Sequence, residues 1–194
     1  FMSVAGSPQE RTEELRQFTT LFKRHLPTFG APVGLQINYS CPNVGLHADE
    51  LLGEVGEGLH IASALDIPVV PKFNVVLPIE VAVGVAANPA CDAICISNTI
   101  PWGQLPERID WEQLFGSKES PIAHLGGGGL SGKPLLPLLV EWISRARRAG
   151  LKKPINAGGG ILSRNDAKKV LDAGADSISI GSIAFLRPWR VSGI

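Results

Sequence analysis

Short apolar runs alternate with longer amphipathic stretches from one end of this 194-residue sequence to the other. A continuous apolar run is typical of a strand buried in a parallel sheet, and an amphipathic stretch is typical of a helix that covers the sheet. The alternation therefore predicts repeated βα units around a parallel sheet. Six strands are predicted, at Met2–Ala5, Val33–Asn38, Pro68–Phe73, Ala93–Ser97, Ile155–Gly158 and Ser177–Gly181.

Five helices are predicted between these strands, and the last of them has the clearest boundaries. Ser163 can cap its start while Asp166 reaches back from three residues later, and Gly174 supplies a left-handed stop. In the preceding helix, apolar residues at three- and four-residue intervals form a core-facing stripe, which assigns Trp142 to the core rather than to a cofactor platform. The predicted helices are Pro8 to about Leu26, Leu51–Leu65, Ile79–Ala87, Leu135–Arg148 and Ser163–Ala173.

The number of βα units is too small for a complete barrel. A (β/α)8 barrel typically needs about 250 residues. This chain is shorter, begins inside a predicted strand and has little sequence after Ser182 for a full final helix. We therefore expect an α/β fold of one domain over residues 1–194, a (β/α)8 TIM barrel that is incomplete. About six of the eight βα units are expected, with the sheet open at both ends.

One long connection, residues 100–132, interrupts the alternation. Connections of this length are usually functional covers. The segment ends in a Gly-rich stretch, Gly126–Gly132, whose permissive backbone allows a ligand to approach closely. The alternative is a flexible hinge that contacts no ligand.

Composition and charge exclude several classes of partner. The net charge is zero and the basic residues are mostly scattered, so binding to nucleic acid or to an anionic membrane is not expected. No apolar stretch approaches the roughly 18 residues of a membrane span, and no signal peptide is recognisable, so a cytoplasmic location is expected. The odd number of cysteines indicates neither a disulfide nor a zinc site, and Cys91 and Cys95 are predicted to be small buried residues.

The segment Asn38–Asn43 combines amides, a hydroxyl and a thiol directly after an apolar run. In α/β folds the residues just past the carboxyl end of a strand are where chemistry is placed. Pro42 disfavours a helical conformation at Cys41, which keeps the thiol on an extended segment. The alternative is a polar loop, rich in Asn and Pro for turn geometry, that carries an incidental cysteine.

Five motifs occur in the order and strand positions of the dihydroorotate dehydrogenase family, which the chain resembles over nearly its whole length. The pairing of the first with a later Gly-Gly-Leu-Ser-Gly is the most specific part of the resemblance. The motifs are Asn38–Val44, Lys72, Ser97–Thr99, Gly128–Gly132 and Gly159–Ile161.

The resemblance implies the oxidation of dihydroorotate to orotate in pyrimidine biosynthesis. It assigns Cys41 as the base that removes a proton from C5 while hydride leaves C6 for FMN; a thiol near its usual pKa of about 8.5 is a competent base. A cysteine in this loop marks the soluble class. Asn38, Asn43, Asn98 and Thr99 match the substrate-binding residues, and an amide can donate to and accept from a pyrimidine at once. Each Asn taken singly could equally form an Asx-turn.

The cofactor implied by the resemblance is FMN. Lys72 interrupts an apolar strand, and a buried cation needs an anionic partner, here the reduced flavin; the alternative is a lysine whose ammonium reaches solvent. The phosphate is expected at the Gly-rich turns after the last two strands. The implied cofactor-binding residues are Asn38, Lys72, Ser97, Ser131, Gly132, Gly158, Gly159, Gly160, Gly181 and Ser182, and no metal ligand is implied.

Other readings of the same residues stay open. The chain could belong to a related flavoprotein that acts on another pyrimidine-like ring, to a flavin-free phosphate-binding barrel, or to an inactive barrel fragment. Two family βα units, with a lysine and an asparagine of the site, have no counterpart before Phe1. The chain alone is therefore expected to bind FMN weakly and to show little turnover. Soluble relatives are commonly homodimers and pass electrons to fumarate or, through an iron–sulfur and FAD subunit, to NAD.

Overall fold

The computed structural model describes residues 2–4, 11–39 and 48–194. Six parallel strands form one sheet, and their order along the chain is also their order across the sheet. They are β1 Met2–Val4, β2 Leu35–Asn38, β3 Val69–Phe73, β4 Ile94–Ile96, β7 Ile155–Gly158 and β8 Ser177–Ser179. All six predicted strands are confirmed. In the described part of the chain β1 and β8 lie at opposite edges, so the sheet is open, as expected for part of a barrel.

Seven α-helices accompany the sheet in the described residues. They are α1 Arg11–His25, α2 Ala48–Ser63, α3 Ile79–Ala87, α4 Trp111–Phe115, α5 Leu135–Arg148, α6 Arg164–Asp172 and α7 Ser182–Leu186. The five predicted helices are confirmed as α1, α2, α3, α5 and α6. The two that were not predicted have five residues each, which is too short for a helical apolar period to stand out. None of these helices is long and apolar enough to cross a membrane.

The connection over residues 100–132 is more ordered than the predicted loop. Its ends pair as a two-stranded antiparallel sheet, β5 Ile100–Pro101 with β6 Gly129–Leu130. Between them Trp102 lies 4.7 Å from the ring of Trp111 and 4.9 Å from that of Phe115, measured between ring centroids. The prediction of one long loop is therefore wrong in part, because two-residue strands are too short to show a period of two.

The helix caps and the core follow the predicted chemistry. The Ser163 hydroxyl accepts a hydrogen bond of 3.2 Å from the Asp166 N–H and donates one of 2.8 Å to its carboxylate. Gly174 has φ +112°, the left-handed conformation that ends α6. Trp142 is 4% exposed, and its indole N–H donates to the Leu77 carbonyl at 2.8 Å. The assignment of Trp142 to the core is confirmed.

The two faces of the sheet differ in character. On one face, fully buried aliphatic residues such as Ile37, Ile94, Ile96 and Ile155 belong to a continuous apolar core with the helices. We call this the covered face. Because strand side chains alternate in direction, the residues between these point the opposite way.

Candidate functional site

The face opposite the covered face carries a row of polar side chains in register across five strands. Pairing runs from Asn38 to Lys72, from Lys72 to Cys95, from Cys95 to Asn156 and from Asn156 to Ser177. In-register neighbours in a parallel sheet point to the same face, so these five side chains lie side by side. We call them the polar row. Apart from Cys95, which is 4% exposed, its members are half-buried or exposed.

Two of the predicted substrate-binding amides contact each other at the carboxyl edge of the sheet. The Asn98 side-chain amide donates to the Asn38 side-chain oxygen at 3.4 Å. The Asn98 oxygen accepts from the Thr99 N–H at 3.0 Å, while the Asn98 N–H donates to the Phe73 carbonyl at 2.9 Å. The structure therefore brings Asn38 and Asn98 together from β2 and from the turn after β4, with the exposed Thr99 beside them.

Lys72 lies between Asn38 and Cys95 in the polar row and is half-buried. Burial raises the pKa of the Cys95 thiol to about 11, although the nearby Lys72 ammonium acts in the opposite direction. The thiol is therefore neutral at physiological pH and is no counter-ion for Lys72. Among the described residues, no carboxylate forms an ion pair with this ammonium. Such a cation on a half-covered face favours an anionic ligand.

Ser97 follows β4 and lies against the Gly-rich turn after β7. Its N–H donates to the Gly158 carbonyl at 2.8 Å, and its hydroxyl is 3.7 Å from the position that a Cβ at Gly159 would occupy. At Gly160, with φ +72°, a Cβ would come within 2.7 Å of the Gly132 carbonyl. Only glycine allows this close approach of two backbones. Ser97, Gly158–Gly160 and Gly132 thus form one cluster.

The remaining predicted flavin-binding residues lie around this cluster. Ser131 is exposed next to Gly132. Gly158 packs closely on β8, since a Cβ there would be 2.9 Å from the Ser179 carbonyl. Gly181 and Ser182 follow β8, and a Cβ at Gly181 would meet nothing within 4 Å. The open space at Gly181 is compatible with a ligand at this turn.

An ion pair that sequence analysis did not identify joins the cluster to α6. The Lys133 ammonium lies 2.6 Å from the Asp166 carboxylate, whose side chain is 3% exposed. Burial alone raises the pKa of Asp166, but hydrogen bonds from Lys133, Ser163 and the Leu162 N–H outweigh it, so the pKa lies below its usual value. The pair fixes the residue after Gly132 relative to the helix that follows the Gly159–Gly160 turn.

Cys41 and Asn43, the predicted base and one predicted substrate-binding residue, lie outside the described residues, which leave out 40–47. Tyr39, the residue before this segment, contacts two residues of β3. The Tyr39 N–H donates to the Lys72 carbonyl at 2.9 Å, and the Tyr39 ring stacks on Phe73 with centroids 5.8 Å apart. Tyr39, the last described residue before the segment that carries Cys41, therefore lies beside Lys72 at the carboxyl edge of the sheet.

Sequence analysis missed the polar residues of β7 and β8 that lie on the face opposite the covered face. Asn156, Ser177 and Ser179 hydrogen-bond to one another through their side chains. The alternation of Ile155 and Asn156, and of Ser177 and Ile178, is the period-two signal that could have revealed them. The burial of Cys91 and Cys95 is confirmed. Among the described residues, no group of three or more His, Cys, Asp or Glu side chains could hold a metal ion.

The fold and the site together define part of an α/β barrel with polar groups and Gly-rich turns at the carboxyl ends of its strands. The family model described as dihydroorotate dehydrogenase matches residues 28–194. The chain belongs to the dihydroorotate dehydrogenase family.

The relatives include dihydroorotate dehydrogenases of two named types. The chain is 32% identical over 169 residues to dihydroorotate dehydrogenase A (fumarate) of Lactobacillus delbrueckii subsp. bulgaricus, covering 84% of the chain and 51% of the relative. It is 31% identical over 162 residues to dihydroorotate dehydrogenase B (NAD(+)), catalytic subunit, of Listeria welshimeri, covering 80% and 49%. The chain thus spans about half the length of these relatives.

Solved structures agree on the fold. The ligand-free DHODH of Eimeria tenella superposes with a TM-score of 0.65 over 94% of the chain and 53% of its own length, at 20% identity. Its complex with ferulenol gives a TM-score of 0.63 over 91% and 50%, at 19% identity. These similarities support the assignment of a partial TIM barrel.

Proposed function

We propose that this chain contributes to the active site of an FMN-dependent dihydroorotate dehydrogenase, which oxidises dihydroorotate to orotate in pyrimidine biosynthesis. Family membership supports the reaction class. The single observation that carries the proposal is the position of Lys72, which is half-buried between Asn38 and the neutral Cys95. The side-chain amides of Asn38 and Asn98, which contact each other there, can both form hydrogen bonds to a planar ring.

The residues present fit a flavin. Lys72 can stabilise negative charge at the edge of an isoalloxazine ring. The cluster of Ser97, Gly132 and Gly158–Gly160 offers backbone groups at the carboxyl ends of β4 and β7. We propose that these residues hold FMN together with Asn38 and Ser131, and that Gly181 and Ser182 contribute to the phosphate site. FMN bound there would accept the hydride from C6 of dihydroorotate.

The substrate is proposed to lie at the carboxyl edge, near Asn38, Asn98 and Thr99. The Asn38 and Asn98 side chains can each exchange their mutual 3.4 Å hydrogen bond for bonds to a pyrimidine carbonyl and N–H. Asn43 is proposed as a third substrate amide. Cys41 is proposed as the base that takes the proton from C5, so that proton and hydride leave neighbouring carbons.

Flavin titration of the purified full-length protein tests the cofactor assignment. The protein is expected to take up FMN and, under anaerobic conditions, to show bleaching of the flavin absorbance when dihydroorotate is added. Lys72→Met should slow this bleaching by about 10²-fold, because one preorganised electrostatic contact to the developing charge is lost. A protein that takes up no FMN would contradict the proposal.

Substitution of Cys41 tests the base. Cys41→Ser should slow flavin reduction by dihydroorotate at neutral pH while FMN stays bound, because a hydroxyl is far less readily deprotonated than a thiol. Cys91→Ala is the matched control, since this thiol is buried outside the polar row and its change should leave the rate per bound flavin unaltered. An unchanged rate in Cys41→Ser would remove Cys41 as the base.

The electron acceptor is a separate part of the proposal. Relatives named for fumarate and for NAD(+) match this chain almost equally well, at 32% and 31% identity. Reoxidation of the reduced flavin by fumarate alone would assign the first type. Reoxidation by NAD only in the presence of a second protein would assign an electron-transfer subunit. The Listeria relative is named as a catalytic subunit.

A further inference from the structure

The side chain of Asn156 connects three strands on the face of the sheet that carries the polar row. Its oxygen accepts from the Cys95 thiol at 3.4 Å and from the Ser179 hydroxyl at 2.7 Å. Its amide donates to the Ser177 hydroxyl at 2.9 Å. One carboxamide on β7 thus contacts β4 on one side and two successive inward residues of β8 on the other.

The two ends of β8 are held by different means. At its start, the Asp176 carboxylate accepts from the Ile155 N–H at 2.8 Å and from Arg147 at 2.5 Å. Arg147 also donates to the Gly174 carbonyl at 2.8 Å. At its carboxyl end, in the part of the chain that the structure describes, the side-chain hydrogen bond on Ser179 is the one to Asn156. Besides its backbone pairing with Gly158, the end of β8 nearest the proposed phosphate site is therefore held by Asn156.

Ser179 is two residues before Gly181, and Gly158 packs directly against the Ser179 backbone. A displacement of Ser179 would therefore change the distance between the two Gly-rich turns after β7 and β8. A phosphate held by both turns is sensitive to that distance, because preorganised hydrogen bonds lose strength when their geometry is relaxed.

We propose that Asn156 is a positioning residue for the phosphate end of the flavin site. It acts by holding Ser179, and through it the turn at Gly181 and Ser182, at a fixed distance from Gly159 and Gly160. This inference rests on the proposed function, since it assumes that FMN is the ligand. It adds a residue that sets the preference for a phosphorylated flavin through its hydrogen bond to Ser179.

The test compares FMN with riboflavin, which has the same ring and no phosphate. Dissociation constants of both are measured on flavin-free protein by quenching of flavin fluorescence. Asn156→Ala should reduce the preference for FMN over riboflavin by about threefold to tenfold, the equivalent of about one hydrogen bond, while riboflavin affinity changes by less than about twofold.

A matched pair of serine variants locates the effect within β8. Ser179→Ala removes the hydrogen bond to Asn156 at the carboxyl end of the strand and should reproduce the loss of preference for FMN. Ser177→Ala removes the other Asn156 contact on β8, next to the end already held by Asp176, and should keep the preference. A general loss of stability would affect both serine variants and both flavins alike.

The outcomes distinguish a failure of this inference from a failure of the proposed function. If the unsubstituted protein prefers FMN and Asn156→Ala retains that preference, or weakens both flavins equally, the positioning role is wrong and the flavin assignment stands. If the unsubstituted protein binds neither flavin, both fail together. Loss of preference in Asn156→Ala and Ser179→Ala, but not in Ser177→Ala, establishes the role.

Discussion

The covered face and the polar row belong to the same strands, yet they differ in what holds them together. Ile155 is fully buried among aliphatic side chains, whereas its neighbour Asn156 is half-buried and hydrogen-bonded to three other strand residues. The covered face contributes stability through apolar burial. The polar row buries little apolar surface, but its hydrogen bonds fix the directions in which its side chains point. One strand therefore divides stability and ligand binding between alternate residues.

The largest expected effect separates these two faces directly. Ile155→Ala should lower the free energy of unfolding by about 3–4 kcal/mol, because it leaves a cavity at a fully buried site. Asn156→Ala should lower it by about 1 kcal/mol. Urea unfolding measures both, and flavin affinity per folded molecule should show the opposite order. Equal losses of stability would break the comparison.

The second prediction tests how tightly the helices pack on the covered face. Gly58, inside α2, lies where a Cβ would overlap the Tyr39 hydroxyl, so Gly58→Ala should destabilise the protein by about 2 kcal/mol despite the better helix propensity of alanine. The matched change is Gly53→Ala in the same helix, where a Cβ meets nothing within 4 Å. It should stabilise by up to about 1 kcal/mol. Thermal unfolding distinguishes the two; stabilisation by both would contradict the contact with Tyr39.

The third prediction concerns the buried charge beside the Gly-rich cluster. Asp166→Asn should lower the free energy of unfolding by about 1–2 kcal/mol at pH 7, since it removes charge-assisted hydrogen bonds. The folded-state pKa is depressed, so the contribution is present above the unfolded value of about 3.9 and is lost as pH falls through the lower folded pKa. The difference between the two proteins should therefore shrink below about pH 4.

A surface carboxylate provides the control for that charge. Asp172 pairs with Lys168 at 2.7 Å, but both side chains are more than half exposed. Asp172→Asn should cost no more than about 0.5 kcal/mol. A cost equal to that of Asp166→Asn would mean that burial of the Asp166 carboxylate has no energetic consequence.

The last prediction concerns alkaline pH and compares Cys91, outside the polar row, with Cys95, inside it. Burial raises the pKa of Cys91 and of Cys95 to about 11, against the opposing charges of Lys153 and Lys72 respectively. With a folded pKa above the unfolded one, each thiol's contribution is complete below about pH 8.5 and is lost as pH rises towards the folded value. Between pH 9 and 10 the free energy of unfolding should fall by roughly 1 kcal/mol per thiol.

Alanine variants and a thiol reagent check this last prediction. Cys91→Ala and Cys95→Ala should each remove one share of the alkaline loss of stability. In native protein at pH 8, both thiols should react with a disulfide reagent only after unfolding, because reaction needs an exposed thiolate. Rapid native-state labelling of either residue would contradict its burial.

The strands and main helices were predictable because their signals are local. An apolar run such as Ala93–Ser97 contains its own evidence for a buried strand, and Ser163 with Asp166 marks a helix start within four residues. The proximity of Asn38, Lys72 and Asn98 was also predictable, since carboxyl ends of neighbouring parallel strands meet at one edge.

What sequence analysis missed depends on register or on distant partners. The contact of Asn156 with Ser179 needs the pairing of β7 with β8, and Lys133 meets Asp166 across 33 residues. No local pattern specifies either contact. The pairing of β5 with β6 joins segments separated by a helix and an aromatic cluster, so it too is a tertiary outcome. The roles of Cys41 and Asn43 stay predictions.

The groups proposed to hold one small molecule come from positions as far apart in the chain as Asn38 and Ser182. No short peptide cut from this sequence could present them together, so uptake of flavin would be an all-or-none reporter of a correctly assembled sheet. A ligand that binds only the assembled form also shifts the folding equilibrium towards it as its concentration rises. The folded fraction of the polypeptide would then rise with the concentration of free flavin.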